Sequence, residues 1–75
     1  MKKLYQLIQK TYDTGKMPVK NMPLAAFRYL VAIYNELATN GKSYVNLYSD
    51  LILPLLDKCK IKYENTEGLG WVVTV

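Results

Sequence analysis

The sequence predicts a small α+β domain in which three helical regions are followed by a C-terminal antiparallel β-hairpin. Three observations support this prediction. Apolar residues recur with the helical period up to about residue 59, they alternate with polar residues from residue 61, and glycine-containing breaks separate the segments. Because 75 residues are enough for one core only, we expect a single domain over 1–75.

The first helix is predicted over residues 2–14. Its apolar face consists of residues spaced at i, i+3, i+4 and i+7, namely Leu4, Leu7, Ile8 and Thr11. Gly15 follows directly and is suited to end a helix, since glycine adopts the left-handed conformation without steric cost. This helix also carries three lysines, so it is predicted to be both amphipathic and basic.

The second helix is predicted over residues 23–39. Pro23 suits the first helical position, where its missing N–H group would have no partner in any case. Asn40 and Gly41 are suited to end the helix, because both residue types adopt the left-handed conformation at a helix C-terminus. Since nearly every face of this segment is apolar, we expect it to lie at the centre of the fold.

The third helical region is predicted over residues 44–59, with Ser43 as its cap. Pro54 interrupts it, because a proline inside a helix removes a hydrogen bond and collides with the carbonyl four residues earlier, at a cost of about 3 kcal/mol. A break between Tyr48 and Asp50 would place Pro54 near the first turn of a new helix. The region is therefore predicted to be either one kinked helix or two short ones.

A β-hairpin is predicted over residues 61–75. Ile61 and Tyr63 alternate with charged residues, and a turn-forming stretch covers 65–68. The last seven residues are rich in β-branched and aromatic side chains. An isolated hairpin is marginally stable in water, so its apolar face must pack on the helices, with Trp71 as the largest anchor.

The sequence contains no histidine and one cysteine, Cys59. General acid–base and nucleophilic catalysis most often use histidine, so we expect no enzymatic activity and no catalytic, metal-binding or cofactor-binding residues. A single cysteine cannot form an internal disulfide and is typical of a reducing compartment, which predicts a cytoplasmic location. The longest aliphatic run, 51–56, is far shorter than the roughly 20 residues that span a bilayer.

Charge and tyrosine content predict a binding surface. The net charge is +4, concentrated in residues 1–28, and the chain has seven tyrosines. Tyrosine is enriched at protein interfaces because it offers a large face at low entropic cost. Tyr29, Tyr34 and Tyr48 lie on apolar faces and are predicted to be structural. The predicted partner-binding residues are Tyr5, Tyr12, Lys2, Lys3, Lys10, Tyr44 and Tyr63.

These features favour a small non-enzymatic module that binds a protein partner and acts as an inhibitor, adaptor or regulatory subunit. A stand-alone regulator encoded by a phage or another mobile element fits this profile. A core of this size supplies only about 3–5 kcal/mol of net folding stability. Association into a homo-oligomer could stabilise the domain in addition to, or in place of, binding to a protein partner.

The order of elements in 23–75 resembles that of a winged helix-turn-helix domain, with a helix, two short helices and a terminal hairpin. The resemblance covers about two-thirds of the chain and includes no specific motif. In that family the second short helix reads base edges in the major groove, but the corresponding segment here, 51–58, is mostly aliphatic. The resemblance implies an alternative function, nucleic-acid binding through phosphate contacts. Those contacts would come from Lys2, Lys3, Lys10, Lys16, Lys60 and Lys62.

Overall fold

The computed structural model describes residues 1–68 and 70–75, and in these residues it contains three helices and three strands. In chain order they are α1 (Lys2–Thr14), α2 (Leu24–Asn40), β1 (Lys42–Val45), α3 (Ser49–Lys58), β2 (Lys62–Thr66) and β3 (Gly70–Thr74). The strands form one antiparallel sheet in the order β1-β3-β2. The predicted α+β class is confirmed. One residue of the predicted hairpin, Leu69, lies outside the described residues.

Helix α1 ends at the predicted residue, Thr14, and α2 ends one residue later than predicted, at Asn40. Gly15 and Gly41 adopt left-handed conformations with φ of 72° and 73°, and their N–H groups donate to carbonyls four residues earlier. Pro23 precedes α2 in an extended conformation instead of starting it, so the helix begins one residue later than predicted. In the described part of the chain, neither α2 nor any other helix has the length and hydropathy needed to cross a membrane.

The prediction of a helix from residue 44 is wrong for the first part of that region, which forms strand β1. Ser43 and Val45 are buried and alternate with exposed neighbours, so the period is that of a strand. Ser43 therefore caps no helix; its buried hydroxyl donates to Glu36 Oε1 of α2 at 2.8 Å. Leu47 fits the helical period of apolar residues in this region, but it is 58% exposed.

Helix α3 starts at Ser49, after Tyr48 in a left-handed conformation with φ of 54°. The region 44–59 is thus a strand followed by one helix, and Pro54 lies inside that helix and not in its first turn. Pro54 has no N–H to give to the carbonyl of Asp50. Both residues are exposed, so water can hydrate that carbonyl and the cost of the proline is reduced.

The core lies between α2 and the other elements, as the apolar pattern of this helix predicts. Five side chains of α2 are buried, those of Ala26, Phe27, Leu30, Ile33 and Leu37. They meet buried residues from α1, α3 and the sheet, including Leu4, Ile8, Ile52, Leu55, Leu56, Val45 and Val73. Trp71 is half-buried and packs against this core, so the sheet is held to the helices as expected.

The start of β3 passes very close to the end of β1. Gly70 has φ of 83°, and a Cβ atom placed there would lie 2.6 Å from the carbonyl oxygen of Val45. Only glycine satisfies both the conformation and this approach. Strand β3 can therefore occupy the centre of the sheet because residue 70 has no side chain.

Candidate functional site

Helix α1 has one buried face and two exposed flanks. Leu4, Ile8 and Thr11 are buried and fix the helix on the core, and the Thr11 hydroxyl donates to the Leu7 carbonyl at 3.2 Å. One flank turns toward α2 and carries tyrosines. The other turns toward the end of α3 and carries lysines. Successive side chains of a helix are rotated by about 100° around its axis, so one helix can present all three faces.

On the first flank, two tyrosines of α1 pack against aromatic rings of α2. The Tyr5 and Tyr34 rings lie 5.9 Å apart, and the Tyr12 and Phe27 rings meet edge to face at 5.5 Å. The order of these two contacts shows that the helices run antiparallel. Tyr5 remains 50% exposed and Tyr12 63% exposed, so each is anchored on one side and open on the other.

Helix α2 extends this surface with residues one or two turns apart. Val31 lies between Phe27 and Tyr34 on the same side of the helix, and Leu24, one turn before Phe27, is 52% exposed. Val31 and Tyr34 are half-buried. We call this surface the aromatic face and define it by Tyr5, Tyr12, Leu24, Val31 and Tyr34. Its side chains are aromatic or aliphatic, and all five are exposed or half-buried.

The second flank of α1 borders a groove of about 630 Å³. Three segments form it: α1, the connection after it, and the end of α3. We call it the lysine groove and define it by its lining residues, which are Lys3, Gln6, Leu7, Lys10, Thr11, Thr14, Lys16, Met17, Pro18, Lys58 and Cys59. Four lysines and no carboxylate line it, so its potential is positive.

Cys59 lies in the lysine groove but is itself buried, with 6% exposure. Burial raises the pKa of its thiol above the usual value of 9.0 and outweighs the opposite effect of the amino terminus, Lys3 and Lys58. The thiol is therefore neutral at physiological pH. The Cys59 side chain packs in the wall of the groove.

The other predicted tyrosines do not join the aromatic face. Tyr44 lies on the outer face of the sheet, 44% exposed, with Lys42 Nζ at 5.5 Å from its ring centroid. Tyr63 is half-buried; its ring contacts Trp71 edge to face at 5.4 Å, and its hydroxyl donates to Asp57 Oδ2 at 2.9 Å. That hydrogen bond raises the pKa of Tyr63, with smaller contributions from burial and from the Asp57 charge.

The predicted lysines are also divided by the fold. Lys3, Lys10 and Lys16 come together in the lysine groove, where Lys58, which the sequence did not single out, joins them. Lys2 is exposed on α1 and does not line the groove. The remaining two, Lys60 and Lys62, border a shallower depression together with Asp57 and Glu64, so their charge is balanced locally.

Tyr29 and Tyr48 occupy the exposed edge of β1. The Tyr29 hydroxyl accepts the Asn46 backbone N–H at 3.1 Å and donates to Asn46 Oδ1 at 2.8 Å, which agrees with its predicted structural role. Tyr48 is 37% exposed and its ring lies 6.1 Å from that of Tyr29.

The segment expected to read DNA in a winged helix-turn-helix is α3. Strand β1 takes the place of the first of the two predicted short helices, so in the described residues α3 follows a strand and not a helix. Its exposed side carries Asp50, Pro54, Asp57 and Lys58. Two carboxylates on that side would repel phosphates. Comparison of the chain with protein-family models, curated proteins and solved structures gives no match.

Proposed function

We propose that this chain is a non-enzymatic module that binds an acidic protein partner through the aromatic face. The observation that supports the proposal is the exposure of Tyr5 and Tyr12 while each ring is held against α2. A role as an inhibitor, adaptor or regulatory subunit follows from such a surface. Action in the cytoplasm fits the single unpaired cysteine, Cys59.

Anchored tyrosines suit a binding surface for an energetic reason. Binding immobilises side chains at a cost of about 0.5–1.5 kcal/mol for each flexible one. The contacts with Tyr34 and Phe27 already restrict Tyr5 and Tyr12 in the free protein, so part of this cost falls on folding instead of binding. Tyrosine is also among the residues that contribute 2 kcal/mol or more at interface centres.

The charge around the aromatic face indicates the chemistry of the partner. Arg28 is exposed on α2 one turn from both Leu24 and Val31, and Lys2 is exposed near the start of α1. The chain as a whole carries +4. A partner that brings apolar side chains with carboxylates around them would match both the face and its rim, and the opposite charges would accelerate association.

The test compares two variants that each remove exposed tyrosine. Tyr5→Ala/Tyr12→Ala changes the aromatic face, and Tyr44→Ala is the matched control on the outer face of the sheet. Tagged proteins are incubated with a nuclease-treated extract of the cells in which the chain naturally occurs. Captured proteins are then identified by mass spectrometry. We expect one acidic protein to be captured by the wild type and by the control but not by the double variant.

Circular dichroism of all three proteins establishes that the variants are folded. Equal capture by the wild type and the double variant would exclude the aromatic face as the binding surface. Sedimentation of the purified chain distinguishes a second copy from a different partner. A homodimer that dissociates in the double variant would show that the face binds another copy of this chain.

Nucleic-acid binding is the second candidate function, favoured by the convergence of Lys3, Lys10 and Lys16 in one groove. Phosphate contacts by lysines give an affinity that falls steeply with salt. A gel-shift experiment with mixed-sequence DNA and RNA at two salt concentrations tests this candidate. Absence of a shift at low salt would exclude it.

A further inference from the structure

We propose that the lysine groove binds a small organic anion that carries two or more phosphate groups, such as a nucleoside diphosphate. The groove lies on the flank of α1 opposite the aromatic face, so this inference does not depend on the proposed protein partner. It is based on the charge, the shape and the hydrogen bonding of the groove.

The charge of the groove is concentrated by the fold. Lys3 and Lys10 come from α1, Lys16 from the connection after it, and Lys58 from the last turn of α3, while no carboxylate is among the lining residues. Four like charges around one depression repel each other, most strongly where protein atoms lower the local dielectric constant. An anion with two phosphates removes this repulsion and forms charge-assisted hydrogen bonds.

Lys10 and Lys16 lie on either side of the last turn of α1, and that turn itself contains no basic residue. The Thr11 carbonyl accepts the Gly15 N–H at 2.8 Å, and the Lys10 carbonyl accepts the Thr14 hydroxyl at 2.8 Å. The Thr14 oxygen in turn accepts the Lys16 N–H at 3.2 Å, which holds the connection against the helix. The Lys10 and Thr11 carbonyls and the Lys16 N–H are therefore paired without the use of a lysine ammonium group.

The shape of the groove selects a small ligand with an apolar part. Its volume of about 630 Å³ lies within the range of roughly 300–1,000 Å³ that is usual for small-molecule sites. Leu7, Met17 and Pro18 supply apolar surface, and Gln6 supplies an amide. No aromatic side chain is among the lining residues, so the groove lacks the stacking platform that single-stranded nucleic acids use.

The experiment measures binding of ADP, inorganic pyrophosphate and adenosine to the intact chain by isothermal titration calorimetry at low salt. The groove variant is Lys3→Gln/Lys10→Gln, and the control is Lys2→Gln/Lys42→Gln, which has the same net charge but leaves the lining residues unchanged. We expect ADP to bind more tightly than pyrophosphate and adenosine not to bind. The groove variant should bind ADP about tenfold more weakly than the control.

Amide chemical shifts locate the site independently of affinity. Titration with ADP should shift the signals of Gln6, Lys10 and Lys58 and leave those of Arg28 and Tyr44 unchanged. Equal weakening in the groove and control variants would show that net charge alone attracts the anion and would overturn the proposal. Adenosine binding as tight as ADP binding, or no binding of either phosphate compound at millimolar concentration, would overturn it as well.

Discussion

The two flanks of α1 differ in how the chain builds them. The aromatic face joins α1 to α2, two helices that follow each other in sequence, and its rings are held by two direct contacts. The lysine groove needs three segments, since Lys58 comes from the end of α3. One helix of 13 residues can thus support two separate surfaces, one dependent on local packing and the other on the position of a distant helix.

The most damaging change should affect both flanks at once. Leu4 is completely buried between α1, to which it belongs, and the core. Leu4→Ala therefore leaves a cavity and is expected to lower the free energy of unfolding by about 2–5 kcal/mol. Leu24→Ala is the control, because Leu24 is 52% exposed and should change stability by less than about 0.5 kcal/mol. Urea denaturation measures both. A small effect of Leu4→Ala would show that α1 is not fixed to the core as described.

A second change separates the flanks through the aromatic face. Tyr12→Ala removes the ring that is 63% exposed and should weaken partner binding by about 2 kcal/mol, which is close to a thirtyfold loss. ADP binding in the lysine groove should be unchanged. Surface plasmon resonance with the captured partner, together with calorimetry, measures the two affinities. Parallel losses in both would mean that the flanks are coupled.

A third change acts on the groove through the end of α1. Gly15 has φ of 72° and open space around it, so Gly15→Ala meets no clash but places a side chain in a left-handed conformation at a cost of about 1 kcal/mol. The change should loosen the connection that carries Lys16 and Met17, and so weaken ADP binding severalfold. Partner binding should stay the same. Calorimetry and capture experiments on this variant test the difference.

The smallest expected effect depends on pH. The hydrogen bond to Asp57 raises the pKa of Tyr63 above 10.0, so the neutral phenol is favoured in the folded state. The hydrogen bond therefore contributes fully to stability at pH values below 10.0, and this contribution is lost as the pH rises through the raised pKa of Tyr63. Since Asp57 precedes Lys58, ionisation of Tyr63 should disturb the lysine groove before it disturbs the aromatic face.

Urea denaturation of the wild type and of Tyr63→Phe at about pH 8 and about pH 11 tests this expectation. At the lower pH the wild type should have a slightly larger free energy of unfolding than Tyr63→Phe. At the higher pH this difference between the two proteins should disappear. Burial also raises the pKa of Cys59, but this thiol ionises in both proteins and its effect cancels. A difference that grows with pH would contradict the assignment.

The two long helices, α1 and α2, could be predicted because their signals are local. The spacing of Leu4 and Ile8 lies within the 13 residues of α1, and Gly15 follows them directly. Strand β1 could not be predicted in the same way, since it has four residues and its partner β3 lies about 30 residues later. The exposed side chains of Leu47 and Tyr48 also continued a helical apolar pattern that the fold does not bury.

The candidate sites show the same division. Tyr5 and Tyr12 are seven residues apart, a spacing that places them on nearly the same face of a helix. The structure has both rings against α2. Their separation from Tyr44 and Tyr63 depends on the sheet, which residue spacing does not reveal. The contribution of Lys58 to the groove could not be foreseen either, because it depends on where α3 ends relative to α1.

The central position of β3 has a consequence for the order of folding. Strands β2 and β3 are close in sequence, since β2 ends at Thr66 and β3 begins at Gly70. Strand β1, in contrast, pairs with β3 over a much larger sequence separation, from Lys42 to Thr74. Closing the longer loop costs more entropy, so the hairpin is expected to form first and β1 to add afterwards. In a hydrogen-exchange experiment during refolding, the amides of β2 should therefore gain protection before those of β1.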